Sequence, residues 1–133
     1  MRVFVDTSGW VALFVASDIM HKRAASIYEE LVRSGAFIYT SDYVIDETVT
    51  TILKRNGHRQ SVLAGNAILS SDIAKLVYVA PDYLKSAWTS YQKYDDKMFS
   101  FTDVTSFVII KKLDIKKAFS FDKDFKKVGI EIL

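Results

Sequence analysis

Asp6, Glu47, Asp103 and Asp122 stand where short apolar runs end or helical segments begin. Asp6 follows Met1-Arg2-Val3-Phe4-Val5, and Asp122 closes Lys117-Ala118-Phe119-Ser120-Phe121. Asp103 opens a helix-like segment, and Glu47 lies in the first turns of Val44-Ile45-Asp46-Glu47-Thr48-Val49. In an open α/β domain such strand ends face one crevice, where ligands bind. Carboxylates gathered there repel one another unless a cation joins them. An all-oxygen donor set suits Mg²⁺ or Mn²⁺, held by few carboxylates together with waters and substrate phosphate. The chemistry implied is metal-assisted attack on a phosphodiester.

The elements that must position these acids are legible from hydrophobic spacing. Arg2 to Val5 reads as a buried strand, and Ser8 to Val15 as a short apolar helix. Lys22 to Arg33 places Ala24, Ile27, Tyr28 and Leu31 at amphipathic-helix spacing, with Gly35 set to end it. Ala36 to Thr40 is a second strand. Ser41 or Asp42 then caps a helix to about Arg55, whose inner face carries Ile45, Val49, Ile52 and Leu53. Asn56-Gly57 breaks the chain before a helix from His58 to Ser70. Leu76 to Ala80 is a third strand, and Pro81 suits the first turn of the next helix, Asp82 to Tyr94. A helix from about Thr102 to Lys112 and strands at Lys117 to Phe121 and Gly129 to Leu133 complete the order. Strands alternating with helices imply a mainly parallel sheet covered on both faces. With no repeat, linker or low-complexity stretch, residues 1–133 read as a single domain.

Composition narrows the class. Half of the 133 residues are hydrophobic, enough for a core and against disorder. No cysteine is present, which excludes disulfides, thiolate catalysis and Cys-based zinc sites and fits a cytoplasmic protein. No basic stretch precedes an apolar one at the start, and the apolar runs fall far short of the ~20 residues of a membrane helix. Net charge is only +2. Its distribution says more: seven lysines and three aspartates lie between Lys111 and Lys127, and Lys54, Arg55, His58 and Arg59 follow the Glu47 segment. A negative centre with a positive surround suits a nucleic-acid substrate. Solvated surface lysines give the same pattern without function.

Several acids have competing neighbours. Asp46 and Glu47 point about 100° apart on a helix, and either fits the edge of the buried face. Asp122 and Asp124 lie on the same side of an extended segment. Asp103 also suits the helix dipole in a first turn, with Thr102 as a cap. Asp6 is a helix cap by the plainer reading, although Thr7 or Ser8 can serve instead. His21 and His58 have no second His or Cys at ligand spacing and read as surface residues. The stripe Leu84, Ala87, Trp88 and Tyr91 reads as core packing, while Tyr83, Tyr94 and Phe99 fall off it and read as exposed.

Four segments together carry a resemblance. Val3-Phe4-Val5-Asp6-Thr7-Ser8-Gly9-Trp10, Ser41-Asp42-Tyr43-Val44-Ile45-Asp46-Glu47-Thr48, Phe101-Thr102-Asp103-Val104-Thr105-Ser106-Phe107 and Ala118-Phe119-Ser120-Phe121-Asp122-Lys123-Asp124-Phe125 resemble, in order, the four motifs of PIN-domain ribonucleases, particularly VapC-type toxins. The resemblance implies a three-layer α/β/α fold with a mainly parallel central sheet. It implies a metal-dependent endoribonuclease in which Asp6, Glu47, Asp103 and Asp122 hold Mg²⁺ or Mn²⁺. Thr7, Ser8, Thr102, Ser120 and Asp124 are then supporting residues. It further implies an RNA substrate, a VapB-like antitoxin and a homodimer. The alternatives are an RNA-processing PIN nuclease without an antitoxin, or a non-catalytic PIN-like RNA-binding or scaffold protein. A haloacid-dehalogenase-like phosphatase is disfavoured because position 8 is serine, and a nucleotide-binding Rossmann domain because no Gly-x-Gly-x-x-Gly follows the first strand.

Overall fold

The computed structural model describes residues 1–70 and 72–133. Its elements run β1 (Arg2–Val5), α1 (Thr7–Phe14), α2 (His21–Arg33), β2 (Phe37–Ser41), α3 (Asp42–Asn56), α4 (His58–Leu69), β3 (Lys75–Val77), α5 (Pro81–Lys93), α6 (Phe101–Lys112), β4 (Lys117–Phe119), α7 (Asp124–Lys127) and β5 (Glu131–Ile132). The five strands form one sheet in the order β3-β2-β1-β4-β5, and every pairing is parallel. No helix among the described residues is long and apolar enough to cross a membrane.

Central position explains the sequence of β1. Val3, Phe4 and Val5 are wholly buried, as a strand covered on both faces requires. β1 pairs with β2 on one side and β4 on the other. The chain thus builds outward from β1 through β2 to β3, then returns to place β4 on the opposite flank. The carboxyl ends of β1 and β4 therefore border the point where strand order reverses, the usual ligand crevice of such sheets. Asp6 and Ser120 are the first residues beyond these two ends.

α1 is locked against the sheet by polar as well as apolar contacts. Trp10 is fully buried, and its Nε1 donates to Thr40 Oγ1 (3.0 Å), which in turn donates to the Val5 carbonyl (3.0 Å). Gly9 is required by proximity: a Cβ there would lie 2.5 Å from the Phe119 carbonyl oxygen. Because that neighbour is backbone, Gly9→Ala must push α1 off β4. A loss towards the upper end of the ~1–3 kcal/mol typical of overpacking is expected in urea unfolding. An unchanged midpoint would contradict this close approach.

Several details differ from the sequence expectations. Leu53 does not face inward on α3; it is exposed, and the buried stripe is Val44, Ile45, Thr48 and Ile52. Thr48 takes the inner position because helical phase, rather than hydrophobicity, decides which residue meets the sheet. Ser41 caps α3 by accepting from the Val44 amide, whereas Asp42 accepts from Val79 N at 2.9 Å and ties α3 to the β3 exit. The apolar stripe of α5 is reversed: only Ala87 is buried, while Leu84, Trp88 and Tyr91 are exposed. Conversely, Phe99 is buried, edge-on to Tyr94 and Phe107, and Tyr83 and Tyr94 are partly buried. Periodicity marks a face as apolar without saying what covers it.

Candidate functional site

A crevice of about 490 Å³ opens at the β1 and β4 ends. Asp6, Glu47, Asp103 and Asp122 all line it, delivered from four different elements or their ends. Thr7 and Ser8 line it as well.

Asp6 is the most constrained of the acids. It follows β1 and is 5% exposed. It also caps α1, its plainer reading from the sequence, where Thr7 or Ser8 stood as substitutes. Its Oδ1 accepts from Ser8 Oγ (2.8 Å) and from the Gly9 amide (3.0 Å), and its Oδ2 accepts from Ser120 Oγ (2.7 Å). A hydroxyl has a single proton to donate, so those of Ser8 and Ser120 are both committed to this carboxylate. The two serines are themselves oriented from the β4 side. Ser8 Oγ accepts from Phe121 N (2.9 Å) and Ser120 Oγ from Asp122 N (3.0 Å). Burial raises the Asp6 pKa from 3.8 to about 7, against the opposing effect of the Gly9, Ser120 and Ser8 hydrogen bonds, with the charge of Asp103 adding to the rise.

Asp103 is set by a capping box at the start of α6. Its amide donates to Ser100 Oγ (3.0 Å), and its Oδ2 accepts from the Ser100 amide (3.2 Å). Ser100, not Thr102, is therefore the cap; the Thr102 carbonyl accepts from Thr105 and Ser106. Thr102 is absent from the crevice wall. Burial raises the Asp103 pKa to about 6, aided by the charges of Asp122 and Glu47 and opposed by the Ser100 bonds. Glu47 is partly buried on α3, whereas Asp46 is exposed.

Asp122 and Asp124 are coupled by a tight turn in which Asp124 N donates to Asp122 Oδ1 at 2.9 Å. Carboxylate oxygens of Asp103, Asp122 and Asp124 all lie within 4.8 Å of one another. Asp124 starts α7 instead of continuing an extended strand, and its carboxylate pairs with Lys127 at 2.9 Å. It does not line the crevice. His58 is exposed, and His21 is partly buried with Nδ1 2.8 Å from the Ala12 carbonyl oxygen. Neither lines the crevice.

The donor set fits a hard divalent cation. Every candidate ligand is oxygen, and two of the acids are held well above their ordinary pKa by burial and mutual repulsion. Thr7 Oγ1 is buried with no hydrogen-bond partner, at a residue lining the same crevice. Such an oxygen is unfavourable unless something fills its coordination. Asp18, Thr51 and Arg55 also line the wall. Thr51 and Arg55 follow Glu47 at helical i+4 steps, a signal visible in the sequence; nothing in the sequence marks Asp18.

The sequence model of the PIN domain matches residues 3–131. The chain belongs to the PIN-domain family. Within that family, the 23S rRNA-specific endonuclease VapC20 of Mycobacterium tuberculosis is 36% identical over 127 residues, covering 96% of this chain and 94% of that protein. The crystal structure of VapC20, described as a sarcin-ricin-loop-cleaving toxin, superposes with a TM-score of 0.86, covering 96% of this chain and 95% of that one. VapBC2 from Rickettsia felis, bound to a promoter DNA fragment, gives a TM-score of 0.74 at 11% identity, covering 100% and 98% of the two chains. VapBC-1 from nontypeable Haemophilus influenzae gives 0.68 at 15% identity, with 100% and 97% covered. At 11% and 15% identity the likeness is one of PIN fold: an all-parallel sheet flanked by helices.

Proposed function

We propose that residues 1–133 act as a single nuclease domain, a cytoplasmic Mg²⁺- or Mn²⁺-dependent endoribonuclease of the VapC type. The observation that carries this reading is the convergence of Asp6, Glu47, Asp103 and Asp122 in one crevice at the strand-order reversal. The identity to VapC20 supports RNA as substrate, with 23S rRNA the first to test.

Asp6, Asp103, Glu47 and Asp122 hold the cation in this reading. When bound, Mg²⁺ or Mn²⁺ supplies positive charge against the phosphate and acidifies the attacking water. Ser8 and Ser120 fix the Asp6 carboxylate, so little reorganisation accompanies loading. Ser100 fixes the rotamer of Asp103 through Oδ2, so that Oδ1 would remain available to the cation. Thr7 offers its unpartnered hydroxyl to a water or a phosphate oxygen. Asp124 orients Asp122 through its amide. No histidine or cysteine lines the wall, so proton transfer falls to the carboxylates and water.

The test is to incubate purified protein with ribosomes and Mg²⁺ and to map new RNA ends by primer extension. We expect one dominant new end in 23S rRNA. Asp122→Asn should reduce it more than roughly tenfold, and Asp124→Asn by less, because Asp124 acts through its backbone amide and retains it. No new end with wild type would sink the substrate assignment. A larger loss for Asp124→Asn would reverse the roles of the two acids.

A homodimer and a VapB-like antitoxin belong to the same proposal. The exposed face of α5 supports the dimer: Trp88 stacks on Tyr91 (centroids 5.6 Å), and both meet Phe101 edge-on. Contiguous exposed aromatic surface of this kind marks association sites. Trp88→Asp should convert a dimer to a monomer in sedimentation velocity. Identical sedimentation of the two proteins would remove this face from the interface.

A further inference from the structure

The sequence points to a cationic surround made of the seven lysines from Lys111 to Lys127 together with Lys54, Arg55, His58 and Arg59, yet of these residues none but Arg55 lines the crevice. Lys127, Lys117, Lys116 and Lys112 are each paired with an acid outside it. The cation that does line the wall is Arg55. It lies on α3 two turns beyond Glu47, with Thr51 between them, so one helix face presents an acid, a hydroxyl and a guanidinium in a row. Eight residues of helix rise about 12 Å.

Arg55 makes no ion pair with the four acids. Its partner is Asp18, at 3.8 Å between Nη1 and Oδ2. That separation is a charge contact and too long for a hydrogen bond. The Arg55 side chain is 62% exposed, whereas Asp18 is 17% exposed and anchored, its Oδ1 accepting from the Met20 amide at 2.8 Å. Asp18 thus holds the guanidinium over the groove and away from the carboxylates, leaving its N–H groups free for an incoming group. A planar guanidinium with several free donors matches a phosphodiester in a way that a single ammonium does not.

We propose that Arg55 is a substrate-positioning residue that binds a backbone phosphate of the RNA beside the scissile one, with Asp18 as its rest partner. This rests on the nuclease reading above. The acids repel the strand as a whole, so one cation at a defined distance from them sets which phosphate reaches the cluster. The contact is to backbone, so it fixes register along the strand without reading bases.

The test measures binding of a fluorescein-labelled 12-nucleotide oligouridine by anisotropy from 50 to 200 mM salt, in an Asp6→Asn background with Mg²⁺ present. Loss of one phosphate contact on a single strand lowers the slope of log affinity against log salt by about 0.7. Arg55→Gln should show that decrease and bind roughly tenfold more weakly, while Arg55→Lys keeps the slope. Asp18→Asn breaks the ion pair but retains an oxygen for Met20 N, and should leave the slope unchanged. Equal effects of Arg55→Gln and Asp18→Asn would mean that the pair merely ties the loop to α3, which overturns the proposal. An unaltered slope in Arg55→Gln overturns it too, without touching the nuclease reading if wild type cleaves rRNA. Failure of every form to bind or cleave RNA would overturn both.

Discussion

Asp6→Asn is expected to yield a folded protein that cleaves RNA more than roughly a hundredfold more slowly, since losing a ligand exceeds the 10–100-fold cost of losing a ligand's support. The amide keeps an oxygen for Ser8 and the Gly9 amide, and the Ser120 hydroxyl can turn from donor to acceptor. What disappears is the ionisation of a buried group. Burial places its pKa at about 7 instead of 3.8, a difference worth roughly 4 kcal/mol between its two protonation states. Between these values the folded chain retains a proton that the unfolded chain has released. Stability in the absence of metal is therefore full below about pH 4 with respect to this group and falls as pH rises towards 7. Asp103, raised to about 6, contributes in the same direction. Metal-free Asp6→Asn should consequently melt higher than wild type at pH 8, with a flatter dependence of melting temperature on pH. Activity within a few-fold of wild type would remove Asp6 from the mechanism. A mutant that melts lower at pH 8 would show that the hydrogen-bond network outweighs the desolvation of the charge.

EDTA should abolish cleavage completely. Mg²⁺ or Mn²⁺ should restore it, and Ca²⁺ should restore it poorly because its looser coordination positions water less well. Binding to the folded state alone stabilises by about 2.7 kcal/mol at a hundred times Kd. For a chain of this size that is a rise of roughly 10 °C in Tm. Loading must displace the protons held on Asp6 and Asp103, so affinity for Mn²⁺ should climb between pH 6 and pH 8. An antitoxin that inserts an Arg or Lys among the same acids would compete with the cation, and each would weaken the other by the same factor. Calorimetric titration of the complex with Mn²⁺ measures that linkage. Full cleavage in chelator would point instead to a side chain acting as general base.

The sequence marks Asp6 and Asp122 by local signals at the ends of apolar runs, whereas Glu47 and Asp103 were singled out by the resemblance; all four line the one crevice. Asp6 breaks a run in which every residue from Val3 to Val5 is apolar, and Asp122 closes the largely apolar run Ala118-Phe119-Ser120-Phe121. β1 was legible for the same reason, since a strand buried on both faces has no polar alternation to obscure it. Edge strands were harder: β3 and β5 are only three and two residues long, and little of each is buried enough to constrain its sequence. At α3 the sequence left Ser41 and Asp42 open and Ser41 is the cap, whereas the α6 cap is Ser100 instead of Thr102, because several hydroxyl and acid residues adjoin there and backbone geometry selects among them. α5 was misread more deeply. The stripe Leu84, Trp88 and Tyr91 has the spacing of a core face yet is exposed, because spacing marks a face as apolar without fixing which side of the helix meets the sheet. Asp18 was invisible because its place at the crevice comes from the path of a loop.

The clamp around Asp6 also determines when the site can come into existence. Its closing bonds, from Phe121 N to Ser8 Oγ and from Ser120 Oγ to Asp6, join residues 113 and 114 positions apart. β1, the middle strand, likewise lacks its β4 neighbour until residues 117–119 have been made. As the polypeptide emerges from the ribosome, more than a hundred residues must be synthesised while the Asp6 carboxylate has no Ser120 beside it. Contacts of such long range also form late in folding, after local helices. The clamp on Asp6 is therefore closed only once the first and last parts of the chain have met.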